Sequence, residues 1–271
     1  MRKILVMLVA ALSLASVANA ARPKGVDIKH VEPLSWWVGM NTPLQLMING
    51  ENIAACDIAI EPAGQGIEIS AIHKADSPNY LFVDVAVADD AKAGEYQICV
   101  TNGRRTVRYP YTFAERREGS RERESFTNAD FVYLIMPDRF ANGDASNDST
   151  DNTAEKADRS NPGRRHGGDI QGIIDHLDYI VDLGATAIWC TPLLLDDENG
   201  ASYHGYSCSD YYRIDPRYGS NELFKSYVEE CHKKDLKVIM DIVPNHSSTS
   251  HWWYEDQPFA DWTHQWDSYT Q

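Results

Sequence analysis

Two hydrophobic patterns divide the chain, and the first of them has a period of two. Residues 80–87 place Leu81, Val83 and Val85 on one face, and residues 96–100 repeat the period of two. This spacing is typical of half-buried β-strands. Turn-forming segments separate such short runs from residue 26 to about residue 115. This part of the chain is therefore predicted to be a small antiparallel β-sandwich.

Features of the immunoglobulin type occur in the predicted sandwich. Gly94 and Tyr96 precede Cys99, and in immunoglobulin-like domains a Tyr near the start of a late strand bonds back to the preceding turn. Trp36 and Trp37 are predicted to pack in the core or at an interdomain contact, and an exposed platform for stacking sugars is the alternative. The sandwich region contains no catalytic constellation.

The second pattern alternates apolar strands with helical stripes. Strands are expected at residues 131–136, 185–190 and 238–246, and helices at residues 173–181 and 223–231. Ser220 and Asn221 are candidate N-caps for the second helix. Long loops follow the strands and short loops follow the helices, which predicts a (β/α) barrel whose working face lies at the carboxyl ends of the strands. A mixed-charge run at residues 115–124 is the predicted linker.

Candidate chemistry lies in the loops that follow these strands. The buried strand expected at residues 238–246 delivers Asp241, Asn245 and His246 to its carboxyl end. Short oxygen-bearing side chains in residues 142–148 suit a hard cation such as calcium, although they are also usual in solvated Asx turns. Residues 203–212 place aromatic rings beside polar groups, which is what sugar recognition requires; a packed aromatic loop is the alternative.

The composition narrows the class of partner and the compartment. The chain has 271 residues and a formal net charge of -15, which argues against nucleic acid because binding to it depends on Lys and Arg. A basic start, a short apolar run and Ala18-Asn19-Ala20 predict a cleaved signal peptide at residues 1–20 and export to the periplasm or the medium, with no membrane span and no lipid-anchor cysteine.

The five cysteines are expected to be small buried hydrophobic residues; a bridge between Cys56 and Cys99 is left open by their spacing.

Three segments together resemble one family. They are Phe-Ala-Asn-Gly-Asp at 140–144 with His-Gly-Gly-Asp at 166–169, residues 205–211 with 214–216 and Gly219, and Asp-Ile-Val-Pro-Asn-His at 241–246. These segments look like the α-amylase superfamily of glycoside hydrolases, and within it the neopullulanase and cyclomaltodextrinase group, which carries a sandwich ahead of the barrel. The implied fold is a multidomain chain: an N-terminal immunoglobulin-like β-sandwich followed by an incomplete (β/α)8 TIM barrel with about three strands.

The resemblance implies a function and a role for particular residues. The full-length protein would hydrolyse the α-1,4 glucosidic bonds of starch, maltodextrin, pullulan or cyclomaltodextrin with retention. Tyr206 would stack on the sugar, His246 would hydrogen-bond its hydroxyls, and Asp241 would orient neighbouring groups. Many relatives have an Asp where this chain has Ser207, which puts one sugar contact in doubt. A structural calcium ion would be held by six residues: Asn142, Asp144, Asn147, Asp148, Gly167 and Asp169.

The same resemblance places limits on the chain. The predicted organisation is a signal peptide (1–20), a sandwich (21–115), a linker (116–125), the start of the barrel (126–246) and the start of an inserted loop domain (247–271). A retaining glycosidase needs a carboxylate nucleophile and a second carboxyl as acid and base, and in this family they come from later strands. The 271 residues are thus expected to be an inactive and poorly soluble N-terminal portion. A non-catalytic α-glucan-binding protein and a sandwich acting as an interaction module are the alternatives, and a homodimer through the first domain is left open.

Overall fold

The computed structural model describes residues 26–264, so the predicted signal peptide lies outside the described residues. The described chain forms two compact units, residues 26–73 with 78–114 and residues 74–77 with 115–264. No helix in the described part of the chain is long and apolar enough to cross a membrane.

The first unit is a β-sandwich of two four-stranded sheets. Its strands are β1 (His30–Glu32), β2 (Ser35–Trp37), β3 (Leu44–Asn49), β4 (Asp57–Glu61), β5 (Ile67–Lys74), β6 (Tyr80–Val87), β7 (Gly94–Asn102) and β8 (Arg105–Ala114). One sheet has the order β1-β3-β6-β5 and the other β2-β8-β7-β4. The alternating residues predicted to face inward do so, since Leu81 and Val83 of one sheet and Ile98 of the other are almost fully buried. The predicted antiparallel arrangement fails at β2, which pairs with β8 in parallel.

Tyr96 forms the predicted turn contact. Its hydroxyl donates to the backbone oxygen of Lys92 at 2.7 Å, across the turn that precedes β7. Its ring packs edge-on against Phe113, with centroids 5.2 Å apart. Trp36 packs partly against the core, whereas Trp37 is 40% exposed and stacks on Trp36. Packing against the core is confirmed for Trp36, and an interdomain contact of Trp37 stays a prediction.

The second unit contains a parallel three-stranded sheet with helices packed on one face. In chain order its elements are β9 (Val132–Ile135), α1 (Pro137–Phe140), α2 (Ile170–Asp175), α3 (Leu177–Asp182), β10 (Ala187–Cys190), β11 (Leu194–Leu195), β12 (Asp210–Ile214), α4 (Asn221–His232), β13 (Lys237–Met240) and α5 (Trp252–Glu255). The sheet order is β13-β10-β9, with β10 in the middle and parallel to both neighbours. β11 and β12 form a separate antiparallel pair. The predicted strand, helix, strand, helix, strand order is confirmed.

Two predicted elements differ from the structure. The helix expected over residues 173–181 is divided at His176, whose backbone (φ −116°, ψ 18°) ends α2 and precedes α3. The strand expected over 238–246 ends at Met240, and it is not buried: Met240 is 37% and Ile242 55% exposed. Within residues 26–264, β13 has a partner on one side only, because β10 is its sole neighbour in the sheet.

All five cysteines are free thiols. Cys99, Cys190, Cys208 and Cys231 are buried, as predicted, and Cys56 is half-buried. The bridge between Cys56 and Cys99 that the spacing left open does not form.

Candidate active site

The carboxyl ends of β10 and β13 bring an indole, a phenol and a carboxylate together. Asp241 directly follows β13, and its Oδ2 accepts hydrogen bonds from Trp189 Nε1 at 3.1 Å and from the Tyr206 hydroxyl at 3.2 Å. The Tyr206 side chain remains 38% exposed. Partial burial and the neighbouring Asp241 carboxylate raise the pKa of the Tyr206 hydroxyl, so it stays protonated and donates. An exposed ring held by its hydroxyl is a suitable surface for a sugar face.

His246 joins this group through the backbone of Tyr206. Its Nε2 lies 2.9 Å from the Tyr206 carbonyl oxygen, and its Nδ1 lies 3.2 Å from Asn245 Nδ2. A carbonyl oxygen can only accept, so Nε2 carries the proton and Nδ1 accepts. Both ring nitrogens therefore contact protein atoms. The predicted bond from His246 to a sugar hydroxyl requires one of these contacts to be exchanged, and it stays a prediction.

The loop that carries Tyr206 is held by buried groups on its inner side. Gly205 has a φ of +79°, and a Cβ at this position would lie 2.1 Å from the Pro192 carbonyl oxygen, so only glycine fits here. The Asp196 carboxylate accepts the backbone N–H of Ser207 at 3.1 Å and that of Glu198 at 3.3 Å. Burial raises the pKa of Asp196 to about 7.

Sequence reasoning missed a buried ionic cluster beneath this loop. Arg217 donates to both carboxylate oxygens of Asp215, at 2.9 Å and 2.7 Å, and Arg165 Nη1 lies 3.7 Å from Asp215 Oδ2. All three side chains are fully buried. Burial alone would raise the pKa of Asp215, but the hydrogen bonds of Arg217 and the charge of Arg165 leave it lowered. The signal in the sequence was the Asp-Pro-Arg segment at 215–217, and these residue types give no indication of burial.

The residues of the predicted calcium site lie close together, but their side chains make different hydrogen bonds. The Asp169 carboxylate is occupied by backbone N–H groups, including those of Gly143, Asp144 and Gly172, the last at the N-terminus of α2. The exposed Asp144 carboxylate accepts from the backbone and hydroxyl of Ser146. These two side chains order the loop.

The remaining four residues fit a cation better. Asn147 Oδ1 is buried and has no hydrogen-bond partner. The Asp148 carboxylate lies 2.6 Å from the side-chain amide of Asn142. A Cβ on Gly167 would lie 2.5 Å from Asp148 Oδ1, so only glycine lets the backbone approach this carboxylate. Among residues 26–264 no group of three or more His, Cys, Asp or Glu could hold a metal. A site here would therefore combine the Asp148 carboxylate with amide and backbone oxygens, which suit a hard cation.

A cavity of about 530 Å³ extends the site from His246 into the segment after β13. Tyr211, Trp253 and Tyr254 contribute aromatic walls, and Asn245 and Ser247 contribute polar groups. None of the described residues that line it is Asp, Glu, Lys or Arg. Such a lining favours an uncharged ligand with both apolar and hydroxyl surfaces.

The chain has an immunoglobulin-like sandwich followed by parallel β/α units, and Tyr, His and Asp side chains meet at the strand ends. These features define the class as a (β/α)-barrel protein with an N-terminal β-sandwich. The family model for the α-amylase catalytic domain matches residues 134–271, and the model for the N-terminal domain of cyclomaltodextrinase matches residues 30–117. The chain belongs to the α-amylase family.

Individual relatives agree with the family models. A cyclomaltodextrinase of Geobacillus thermopakistaniensis is 41% identical over 129 residues, which are 48% of this chain and 20% of that protein. Neopullulanase 2 of Thermoactinomyces vulgaris is 39% identical over 127 residues, 46% of this chain and 21% of that protein. The chain thus spans about a fifth of the length of these relatives.

Two solved structures each match 47% of the chain. The α-amylase of Geobacillus thermoleovorans, complexed with acarbose, is 38% identical over 47% of this chain and 26% of that chain, with a TM-score of 0.39. The cyclic α-maltosyl-(1→6)-maltose hydrolase of Arthrobacter globiformis is 39% identical over 47% of this chain and 28% of that chain, with a TM-score of 0.41.

Proposed function

We propose that the complete protein hydrolyses α-1,4 glucosidic bonds of α-glucans such as maltodextrin, starch, pullulan or cyclomaltodextrin, with retention at the anomeric carbon. The observation that carries this proposal is the group formed by Tyr206, Asp241 and His246 at the carboxyl ends of the parallel strands. This is the edge where (β/α) barrels place their active sites. The names of the relatives, cyclomaltodextrinase and neopullulanase, support the same substrate class.

In this proposal the residues of the chain bind and orient the substrate. The exposed Tyr206 ring stacks on one glucosyl unit, and Asp241 fixes that ring through its hydroxyl while orienting neighbouring groups. His246 holds the Tyr206 backbone and lies next to the cavity that receives further sugar. The carboxylate nucleophile and the acid/base carboxyl that retention requires are supplied by other parts of the complete protein. The 271-residue chain alone is accordingly expected to release no reducing ends.

The test is the release of reducing ends from pullulan, starch and cyclomaltodextrin by the complete protein, with the anomer of the first product followed by NMR. Tyr206→Ala is expected to lower kcat/KM at least tenfold, which corresponds to about 1.4 kcal/mol. Tyr206→Phe keeps the ring and removes the hydroxyl, so its loss should be smaller. Tyr179→Ala, an exposed aromatic residue on α3, is the control and should leave activity unchanged. Absence of hydrolysis of all three glucans by the wild type would refute the proposal.

A structural calcium ion is a further part of the proposal. Asn142, Asn147, Asp148 and the carbonyl of Gly167 would hold it, and its charge would neutralise Asp148 and tie the loop after β9 to the start of α2. Calcium is expected to raise the melting temperature of the complete protein. Asp148→Ala should abolish this rise, and so should Asp144→Ala if its carboxylate orders the loop. A melting temperature that does not respond to calcium or to a chelator would exclude the site.

Export is proposed from the N-terminal sequence. Cleavage after Ala20 would give a mature protein that begins at Ala21. Edman sequencing or intact-mass analysis of the protein recovered from the periplasm or the medium is the test. An uncleaved N-terminus in the cytoplasm would contradict it.

A further inference from the structure

Asp196 lies between the buried ionic cluster and the exposed Tyr206. Its own backbone N–H donates to Asp215 Oδ2 at 3.3 Å, and its carbonyl oxygen accepts from Arg217 Nη2 at 2.5 Å. Both partners are fully buried, and their hydrogen bonds hold the Asp196 backbone in place. Asp196 is only 1% exposed, and its carboxylate accepts a hydrogen bond from the Ser207 backbone N–H.

That amide is the peptide group immediately after Tyr206. The same peptide unit contributes the Tyr206 carbonyl oxygen, which accepts from His246 Nε2. The orientation of one peptide plane is thus set from two sides, by Asp196 at its N–H and by His246 at its C=O. Because a peptide unit is planar and rigid, fixing both ends restricts the direction of the Tyr206 side chain.

Ionised and protonated Asp196 cannot hold this peptide equally well. Oδ2 accepts the Ser207 N–H and Oδ1 accepts the Glu198 N–H, so each carboxylate oxygen already has a donor. A proton added to either oxygen weakens it as an acceptor and competes with one of these N–H groups. The ionised form is therefore the one that holds the loop.

Four charged or titratable groups lie near this carboxylate. Asp215 and Arg217 lie beneath it, and their charges act on Asp196 in opposite directions. His204 Nδ1 lies 3.8 Å from Asp196 Oδ2 on the loop side, and the buried Cys208 thiol is a further neighbour. Burial lowers the pKa of His204, and His204 Nδ1 accepts the backbone N–H of Tyr206 at 2.9 Å. Neutral His204 thus contributes to the same loop without neutralising Asp196.

We propose that Asp196 is a positioning residue for Tyr206, and that its ionised carboxylate holds the Tyr206–Ser207 peptide in the orientation that directs the Tyr206 ring toward the substrate. This inference rests on the proposed function for its effect on catalysis. The positioning itself can be observed without any activity.

The structural arm of the test uses an isotope label for this peptide. Tyr-Ser occurs once in the 271 residues, at positions 206 and 207. Labelling with carbonyl-13C tyrosine and 15N serine gives one NMR correlation for each Tyr-Ser peptide, and Ser207→Ala in the complete protein identifies the one at 206–207. With burial placing the pKa of Asp196 at about 7, the amide shift should titrate with that midpoint. Asp196→Asn should abolish the titration, and Asp182→Asn, on an exposed face of α3, should leave it intact.

The kinetic arm measures kcat and KM for a maltooligosaccharide across the same pH range. In the wild type, KM is expected to fall as pH rises through the Asp196 midpoint, because the ionised form holds Tyr206. In Asp196→Asn this pH dependence of KM should disappear. Above the midpoint, KM should be about tenfold higher than in the wild type, and kcat should be little changed.

Each combination of results decides the question. Positioning is supported if the amide shift titrates in the wild type and the fall of KM with pH is lost in Asp196→Asn. An amide that does not titrate, or a titration that survives Asp196→Asn, overturns the inference whatever the activity. Loss of the titration with an unchanged KM profile shows a structural role only and also overturns it. If the wild type hydrolyses no α-glucan, the proposed function fails, and the amide titration with maltoheptaose binding in place of KM decides the inference.

Discussion

The buried pair of Arg217 and Asp215 supports a quantitative prediction about stability. Arg217 donates to both oxygens of Asp215 and also to the backbone oxygens of Glu155 at 3.0 Å and Asp196 at 2.5 Å. Arg217→Met keeps the apolar stem in place and removes all four donors. It leaves a fully buried carboxylate whose remaining partners are the backbone N–H groups of Arg217 and Asp196 and the more distant Arg165. It also leaves two carbonyl oxygens without this donor.

The expected cost follows from these losses. Breaking a buried, hydrogen-bonded ion pair by removing one partner costs about 3–5 kcal/mol. Each buried carbonyl left without a donor adds about 1–3 kcal/mol where no water replaces it. Arg217→Met should therefore lower the free energy of unfolding by at least about 3 kcal/mol. Lys233→Met is the matched control, because Lys233 and Glu230 form an exposed pair at 2.6 Å on α4, and such pairs contribute at most about 1 kcal/mol.

The assay is urea-induced unfolding of the complete protein, followed by near-ultraviolet circular dichroism and tryptophan fluorescence. The double variant Arg217→Met with Asp215→Asn removes the unpaired charge, so it should recover part of the loss. A cost below about 1 kcal/mol for Arg217→Met, equal to that of Lys233→Met, would refute the reasoning. So would a double variant in which the two losses simply add, because groups in contact should couple.

Three further predictions concern single hydrogen bonds and pH. Tyr96→Phe should lower sandwich stability by about 1 kcal/mol, since it removes one hydrogen bond; thermal unfolding measures it, and no change would contradict the contact. Ser220→Ala should cost about 1 kcal/mol because Ser220 caps α4 by accepting from Leu223, whereas Ser220→Asp should not; equal losses would contradict capping. The raised pKa of Asp196 means that the folded state binds more protons between pH 3.8 and about 7. Its contribution therefore falls as pH rises through that window, by about 1.4 kcal/mol per pH unit, and Asp196→Asn should flatten the pH dependence of the melting temperature.

The elements that could be predicted from the sequence are those whose side chains repeat with one period. The alternation in residues 80–87 became β6, and the helical stripe at 223–231 became α4 with Ser220 as its N-cap. Where a local backbone feature interrupts a periodic stripe, the sequence misleads. His176 lies within the helix predicted over residues 173–181, yet its backbone is not helical and divides that helix into α2 and α3.

The contacts of the candidate site were less predictable, because they join residues far apart in the chain. Asp241 and His246 were expected at a strand end, but their partners Trp189 and the Tyr206 backbone lie 52 and 40 positions away. Asp196 had no motif to mark it. Its importance arises from burial and from the amide it accepts, and neither is a property of the residue type.

The register of the parallel sheet explains why Asp241 reaches this site. Leu134, Trp189 and Ile239 lie side by side, and so do their neighbours Tyr133, Ile188 and Val238 in the preceding row. The row of Ile188 packs against the helices. Since successive residues of a strand point to opposite faces, the row of Trp189 faces away from them, and Asp241, two residues beyond Ile239, follows the same side.

This face is apolar and uncovered within the described residues, with Leu134 55% and Trp189 39% exposed. An exposed apolar surface of this kind, next to the unpaired edge of β13, favours association. The 271-residue chain expressed alone should therefore bind the dye 8-anilinonaphthalene-1-sulfonate and elute from size exclusion as aggregates, whereas the sandwich, residues 21–115, should bind none. Leu134→Lys should reduce dye binding by the longer chain, and Tyr179→Lys, on the opposite helical layer, should reduce it less. A monomeric chain without dye binding would contradict the inference that this apolar face is uncovered.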